Sequence, residues 1–240
     1  MPEAPEFSII VPAYNEEAEL PRALDALRAA IESTGRAGEL VVVDNNSTDA
    51  TARIAREAGA RVVFEPKNQI SRARNAGARA TQAPYLIFVD ADTVIEPELL
   101  EAALANLDSG GCCGGGALVA FDAPLSRTAR LGVKLWNRLA TRRRLAAGAF
   151  VYVTREAFEG VGGFSERVYA GEELFFSRAM RRWGRKRGQE FRIIPEPRIV
   201  TSSRKLRDCS PARLLLQLAL TFVPFFILFR PLCGFWYRRR

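Results

Sequence analysis

Tyr85-Leu86-Ile87-Phe88-Val89-Asp90-Ala91-Asp92-Thr93 is the stretch on which the fold turns. Its five apolar or aromatic residues predict a strand buried on both faces, because a strand inside a parallel sheet has no polar side. The run then ends in two carboxylates one residue apart. Side chains alternate along an extended chain, so Asp90 and Asp92 point to the same side as the strand leaves the sheet. In open α/β sheets that carboxyl edge is where ligands bind. Two like charges converging there are unfavourable unless water, a cation or a hydrogen-bond donor answers them. A hard divalent ion that bridges carboxylate and phosphate oxygens answers both at once. Taken alone, the tripeptide has a simpler account as a strand end capping a helix that starts near Glu96-Pro97.

Upstream, the same pattern recurs. Phe7-Ser-Ile-Ile-Val-Pro12 predicts a first buried strand, and Ala13-Tyr14-Asn15-Glu16-Glu17 a loop and helix start. Leu20, Ala23, Leu24, Leu27 and Ile31 keep helical spacing until Gly35 and Gly38 break the chain. Residues 39–44 are a second strand ending in Asp44. Asn45-Asn46-Ser47-Thr48-Asp49 is dense in turn and N-cap residues, so a helix over 50–58 follows. A third strand at 61–65 and a third helix at 71–80 lead to the strand at 85–90. Strand–helix alternation with short connections argues a mostly parallel, Rossmann-like sheet covered on both faces. Three strands end in Pro-Ala-Tyr-Asn, Asp-Asn-Asn-Ser and Asp-Ala-Asp, and all three open on one edge. That convergence is stronger than any one motif, because a ligand crevice needs polar groups from several strand ends.

Downstream, a helix is expected near 97–107, and Gly110-Gly-Cys-Cys-Gly-Gly-Gly116 reads as a flexible linker. A strand at 117–122 precedes a basic helix in which Arg130, Lys134, Arg138 and Arg142 recur every four residues beside Leu131, Leu135 and Leu139. Such a helix either lies against a membrane or acceptor, or turns a solvated face outward. Residues 147–154 form a strand, 161–164 a tight turn, and Gly171-Glu172-Glu173 starts a helix running to about Trp183. Two glutamates at a helix start are also favoured by the helix dipole alone.

Composition narrows the chemistry. The 240 residues contain no histidine, which excludes Ser-His-Asp, Cys-His and His-ligated zinc sites. Cys112, Cys113, Cys209 and Cys233 form no metal-binding spacing and fit reduced thiols facing the cytosol. The acidic Met1-Pro-Glu-Ala-Pro-Glu start lacks the basic region of a signal peptide. The net charge of +8 hides an asymmetry: residues 1–125 carry 10 Lys/Arg against 19 Asp/Glu, and residues 126–240 carry 25 against 8. A basic half of that strength calls for a polyanionic partner. Residues 214–229 hold no charge, and Trp236-Tyr237 precede Arg238-Arg-Arg240. At about 1.5 Å per residue that oily run reaches only about 24 Å, short of the roughly 30 Å hydrocarbon core. Residues 205–240 are therefore expected to form a membrane-associated helical tail rather than a straight span. Nucleic acid is the weaker partner, because basic residues flank an oily run instead of interleaving with stacking aromatics.

With these segments in hand, the chain resembles the family 2 glycosyltransferases of GT-A fold. The matching stretches are Val11-Pro-Ala-Tyr-Asn-Glu-Glu17, Val43-Asp-Asn-Asn-Ser-Thr-Asp49, Ala73-Arg-Asn-Ala-Gly77, Val89-Asp-Ala-Asp92, Gly162-Gly-Phe164 and Gly171-Glu-Glu173. The resemblance implies a glycosyltransferase domain over 1–204, with a nucleotide-sugar half at 1–109 and an acceptor half at 117–204. It implies that Pro12, Ala13, Tyr14 and Glu16 line the nucleotide pocket, with Asp44 or Asn45 on the base and Arg74 near the donor. Asp90 would hold the ribose or assist the metal, and Asp92 would ligate Mg²⁺ or Mn²⁺ on the diphosphate. Glu173 would be the base and Glu172 an acceptor contact, with Gly148, Ala149 and Phe150 on the acceptor side. Asn45 stands where several relatives carry an acid, and Glu173 where Asp is commoner. Ala179 replaces the Gln of the processive Gln-x-x-Arg-Trp signature, which points to single addition. The implied activity is inverting, metal-dependent transfer of one sugar from a nucleotide-diphosphate donor, most simply a UDP-sugar. The acceptor would be a lipid-linked glycan or glycolipid at the cytoplasmic membrane face. The competing expectation is an inactive nucleotide-sugar-binding scaffold at the membrane.

Overall fold

The computed structural model describes residues 4–123 and 126–201, with side chains omitted at Arg127 and Thr128. The expected tail at 205–240, with Cys209 and Cys233, lies outside the described residues. The chain runs β1 (Phe7–Ala13), α1 (Leu20–Thr34), β2 (Gly38–Asp44), α2 (Thr51–Glu57), β3 (Arg61–Phe64), α3 (Ile70–Ala80) and β4 (Tyr85–Val89). It continues through β5 (Thr93–Val94), α4 (Pro97–Asp108), β6 (Cys112–Phe121), α5 (Arg127–Arg143), β7 (Phe150–Thr154), α6 (Arg155–Gly160), α7 (Glu172–Arg185) and β8 (Glu190–Thr201). No helix among the described residues is long and apolar enough to cross a membrane.

Local signals explain the first half. Pro21 lies in the first turn of α1, where its missing N–H costs nothing. Leu20, Ala23, Leu24, Leu27 and Ala30 form the buried stripe of α1. Gly35 ends it in the left-handed region at φ 62°, donating its N–H to the Glu32 carbonyl. β1 pairs in parallel with β2 on one side and β4 on the other, and Ala13 lies level with Asp44. Alternation along β1 sends Phe7, Ile9 and Val11 into one core with α1 and α4. Ile10 goes into the opposite core with Phe88, Val151 and the α7 residues Phe176 and Met180.

The sheet has eight strands in the order β3-β2-β1-β4-β7-β6-β8-β5. It is mixed, which corrects the mostly parallel expectation. β7 runs antiparallel to both β4 and β6, β8 parallel to β6, and β5 antiparallel to β8. Strand direction is not written in a residue pattern. Here the antiparallel β4–β7 ladder is continued past Val89 and Phe150 by the Asp90 N–H, which donates to the Ala149 carbonyl at 3.2 Å.

The glycine-rich segment expected as a linker is instead the buried start of β6. Its glycines make room for close neighbours. A methyl group on Gly115 would collide with the Arg192 carbonyl and the Tyr152 ring, and one on Gly116 would come within 2.6 Å of the Ala146 side chain. The Tyr152 hydroxyl bridges the layer, donating to the Arg192 carbonyl at 3.0 Å and accepting from Asn106 Nδ2 at 3.0 Å. Burial pushes both cysteine thiols up, Cys113 to about 12, so neither is reactive near neutral pH. β5, α6 and β8 were not anticipated. In β8, Pro195 and Pro197 fall where the register against β6 shifts, so their missing N–H groups break no regular ladder.

Candidate active site

The ends of β1, β2 and β4 open on one edge, as the three polar motifs required. The loop after β1 is laced to the loop after β2. The N–H groups of Asn15, Glu16 and Glu17 donate to Ser47 Oγ, Thr51 Oγ1 and Asp49 Oδ2 at 3.1, 2.8 and 3.2 Å. In return Asn15 Oδ1 accepts from the Thr48 N–H at 2.8 Å, and Glu17 Oε2 from the Ala50 N–H at 3.0 Å. Asn15 is held at φ 51°, a left-handed conformation that asparagine tolerates. This lacing leaves Pro12 and Tyr14 half-buried and sinks Ala13 and Glu16. Asp44 is buried at the strand end, one oxygen accepting from the Ser47 N–H at 3.0 Å.

Asn45, expected on the nucleotide base, is committed elsewhere. Its Nδ2 donates to the carbonyls of Glu65 and Lys67 at 3.0 and 2.8 Å, and its Oδ1 accepts from the Gln69 N–H at 2.9 Å. Buried and held from three sides, it positions the turn that starts α3, and its side-chain amide is taken up there.

Arg74 organises the rest. It is 1% exposed, the largest fully buried side chain described. One terminal nitrogen donates to Glu172 Oε1 at 2.7 Å, and the other to Asp90 Oδ1 and the Gly148 carbonyl, each at 2.9 Å. The guanidinium also sits 5.1 Å from the centre of the Phe164 ring. A single cation therefore ties the end of β4, the entry to β7 and the first turn of α7. A buried guanidinium is tolerable only with such partners, and the fork geometry of arginine supplies the directions that lysine lacks.

The residues around Arg74 in the Ala73–Gly77 motif also have distinct tasks. Asn75 exchanges two hydrogen bonds of 2.9 Å with the backbone of Phe164, pinning the Gly162-Gly163 turn. Gly77 lets α3 press onto the sheet, since a methyl there would clash with Ile10 and approach Val43 to 2.9 Å. Gln69 Nε2 donates to the carbonyls of Glu166 and Val168, fastening the loop that leads to α7. These positioning roles of Gln69, Asn75 and Glu166 escaped the sequence; Arg-Asn beside small residues on one helix was their only signal.

The adjacent glutamates divide their roles by burial. Glu172 was expected to touch the acceptor, but its carboxylate is buried against Arg74, where it anchors α7. Glu173 is half-buried beside Gly148, whose added methyl would lie 3.8 Å from the Glu173 carboxyl carbon. Burial, followed by the charge of Glu172, pushes the Glu173 carboxyl up to about 8, and Arg74 only partly offsets this. A carboxyl with that affinity for protons can exchange one near neutral pH. On the expected acceptor side, Gly148 and Ala149 act through their carbonyls on Arg74 and Asp90. Phe150 does not face an acceptor: it is fully buried in the core below.

Asp92 lies half-buried just past β4, and Asp90 keeps its side chain 30% exposed although one oxygen is held by Arg74. Among the described residues no group of three or more His, Cys, Asp or Glu side chains gathers to hold a metal. The donor set thus fits a divalent ion only where one hard carboxylate oxygen suffices and phosphate oxygens of a bound diphosphate complete the shell, which is how Mg²⁺ commonly binds.

Comparison with known proteins bears on this arrangement. The model of Glycosyl transferase family 2 matches residues 8–183. The chain is 38% identical over 103 residues to an uncharacterized glycosyltransferase of Mycobacterium tuberculosis, covering 43% of this chain and 44% of that protein. It is 33% identical over 110 residues to an undecaprenyl-phosphate 4-deoxy-4-formamido-L-arabinose transferase of Shewanella sediminis, covering 43% of this chain and 33% of that one. The matched stretches therefore span less than half the length of these two relatives. Among solved structures, glucosyl-3-phosphoglycerate synthase from Mycobacterium tuberculosis, in complex with Mn²⁺, uridine diphosphate and glucosyl-3-phosphoglycerate, aligns with a TM-score of 0.64. The alignment covers 90% of this chain and 79% of that one at 19% identity, a likeness of fold.

Proposed function

The chain belongs to glycosyl transferase family 2, and on that premise we propose that it transfers one sugar, with inversion, from a nucleotide-diphosphate sugar to a hydroxyl of a membrane-associated acceptor. A UDP-sugar is the donor that best suits this reading, since the structural neighbour named above was solved with uridine diphosphate and Mn²⁺. A lipid-linked acceptor suits it likewise, given the Shewanella relative whose name joins undecaprenyl phosphate to sugar transfer; we place that acceptor at the cytoplasmic membrane face and its attacking group as a hydroxyl of the lipid-linked glycan or glycolipid.

The observation that carries the proposal is that one buried cation, Arg74, holds both Asp90 at the end of β4 and Glu172 in the first turn of α7, next to a Glu173 whose carboxyl is pushed up to about 8. In the step proposed, Glu173 takes the proton of the acceptor hydroxyl. The acceptor oxygen bonds to the anomeric carbon from one face while the bond to the diphosphate oxygen breaks on the other, and the nucleoside diphosphate leaves. Tyr14 and Asp44 hold the nucleoside at the ends of β1 and β2, and Asp92 supplies the carboxylate oxygen for Mg²⁺ or Mn²⁺. When bound, the ion neutralises charge on the leaving diphosphate. Arg74 and Glu172 touch neither substrate; they hold Asp90 and the first turn of α7 in place.

The test is transfer from UDP-, GDP- and CMP-sugars into membrane extract, with and without Mn²⁺, by the natural chain and by Asp92→Asn. Loss of transfer and of Mn²⁺-dependent donor binding in the variant is expected. Unaltered turnover removes Asp92 from the metal role, and donor binding without transfer or hydrolysis by the natural chain favours the scaffold.

A further inference from the structure

Away from the strand ends, the outer faces of α5 and α7 enclose a cavity of about 590 Å³ lined by Arg142, Arg144, Arg178, Arg181, Arg182 and Arg185. Glu190 is the sole acid on its wall, and it is already paired with Arg144 at 2.8 Å. Arg142, Arg178, Arg181, Arg182 and Arg185 have no carboxylate within 4.0 Å among the described residues. Arg178, Arg182 and Arg185 follow one another at helical spacing along one face of α7, where like charges repel and weaken the helix.

The second observation concerns oil. Leu131 and Leu135 of α5 are 68% and 67% exposed, and Phe175 of α7 is 41% exposed. Helical spacing puts Leu131, Leu135, Arg138 and Arg142 on a single face of α5, so the leucine stripe leads directly into the arginine cavity. The leucines are unfavourable in water and the crowded arginines repel one another, and one partner relieves both. An anionic bilayer offers phosphates to the arginines and acyl chains to the leucines. A nucleic acid would answer the charge but leave the leucines in water.

We propose that this face of α5 and α7 docks the enzyme on an anionic phospholipid surface. The inference rests on the membrane side of the function proposed above and names the surface that provides it. At about 1.5 Å per residue, Arg178 to Arg185 lie roughly 8 to 18 Å along α7 from Glu173. A bilayer resting there brings headgroup-level hydroxyls toward the strand ends without occupying them.

The full-length chain is sedimented with phosphatidylcholine vesicles with or without phosphatidylglycerol. Two variants are compared, Arg178→Gln/Arg181→Gln/Arg182→Gln/Arg185→Gln and Leu131→Gln/Leu135→Gln, each checked by its melting curve. Every substituted residue is exposed, so both variants should fold. The arginine variant is expected to lose at least about tenfold in partition onto anionic vesicles, and added salt to release the natural chain. The leucine variant is expected to bind anionic vesicles more weakly at every salt concentration. Anionic-vesicle binding unchanged in both variants overturns the proposal and assigns any attachment to other parts of the chain. Preferential capture of duplex DNA, lost in the same arginine variant, overturns it in favour of nucleic acid. UDP-sugar binding, followed by thermal shift, is measured in parallel. Retained donor binding with lost docking separates this surface from the transferase reading, and vesicle binding without any donor binding refutes the latter alone.

Discussion

Replacing Arg74 by methionine keeps most of the side-chain volume and removes the charge. Glu172, only 6% exposed in its side chain and 2.7 Å from the guanidinium, is then a buried anion without a counter-ion. Breaking a buried pair from one side costs about 3–5 kcal/mol, because the remaining charge is left desolvated. Asp90, 30% exposed, adds little, since water can answer it. Against a total stability of about 5–15 kcal/mol, that is a large loss. For a domain of this size each kcal/mol moves the melting temperature by about 2–4 °C, so a fall of roughly 6–20 °C is expected. Urea unfolding followed by circular dichroism should show a lower midpoint with an unchanged slope. Adding Glu172→Gln to Arg74→Met removes the stranded charge and should restore much of the loss, so the double-mutant cycle reports strong coupling. A loss below about 1 kcal/mol, or no recovery on adding Glu172→Gln, refutes Arg74 as the cation that holds α7 to β4.

Glu173→Gln should lower transfer by about 10²- to 10⁴-fold, the usual worth of a positioned base, while donor binding by calorimetry stays intact. Because the folded Glu173 carboxyl is raised from 4.5 to about 8, its stabilising contribution is complete below pH 4.5 and is lost as pH rises through 8. Glu173→Gln should therefore match the natural chain in acid and melt higher above pH 8; equal melting at all pH values contradicts the raised proton affinity. For the same reason transfer should increase with pH up to about 8 in the natural chain, and a profile flat between pH 6 and 9 removes Glu173 from the proton transfer. Gly115→Ala should cost about 1–3 kcal/mol or more, since its methyl meets the Arg192 carbonyl and the Tyr152 ring; a neutral effect on the urea midpoint means the β6–β8 contact is looser than it looks.

Hydrophobic period and turn chemistry were enough to locate the first four strands and helices, because each depends on neighbours within a few residues. Pro21 and Gly35 mark the ends of α1 without reference to anything distant. The same local signals placed Pro12, Asp44 and Asp90 on a common edge, since strands linked by short crossovers must run the same way. They failed at residues 110–116, where glycine means flexibility in isolation but means room for Tyr152 and Arg192 once β7 and β8 flank the strand.

In the site the division falls between adjacent residues. The Glu172-Glu173 pair is visible in the chain, yet nothing local distinguishes the two. Their roles separate because Arg74, 98 residues from Glu172 in sequence, reaches one carboxylate and leaves the other beside Gly148 to hold its proton. Asn45 is likewise a loop polar residue by pattern and a buried bracket once Glu65, Lys67 and Gln69 surround it. Charge and spacing along the chain thus identify which side chains are available for chemistry. Desolvation and partners set how each one behaves, and those arise only when segments far apart in the chain are packed together.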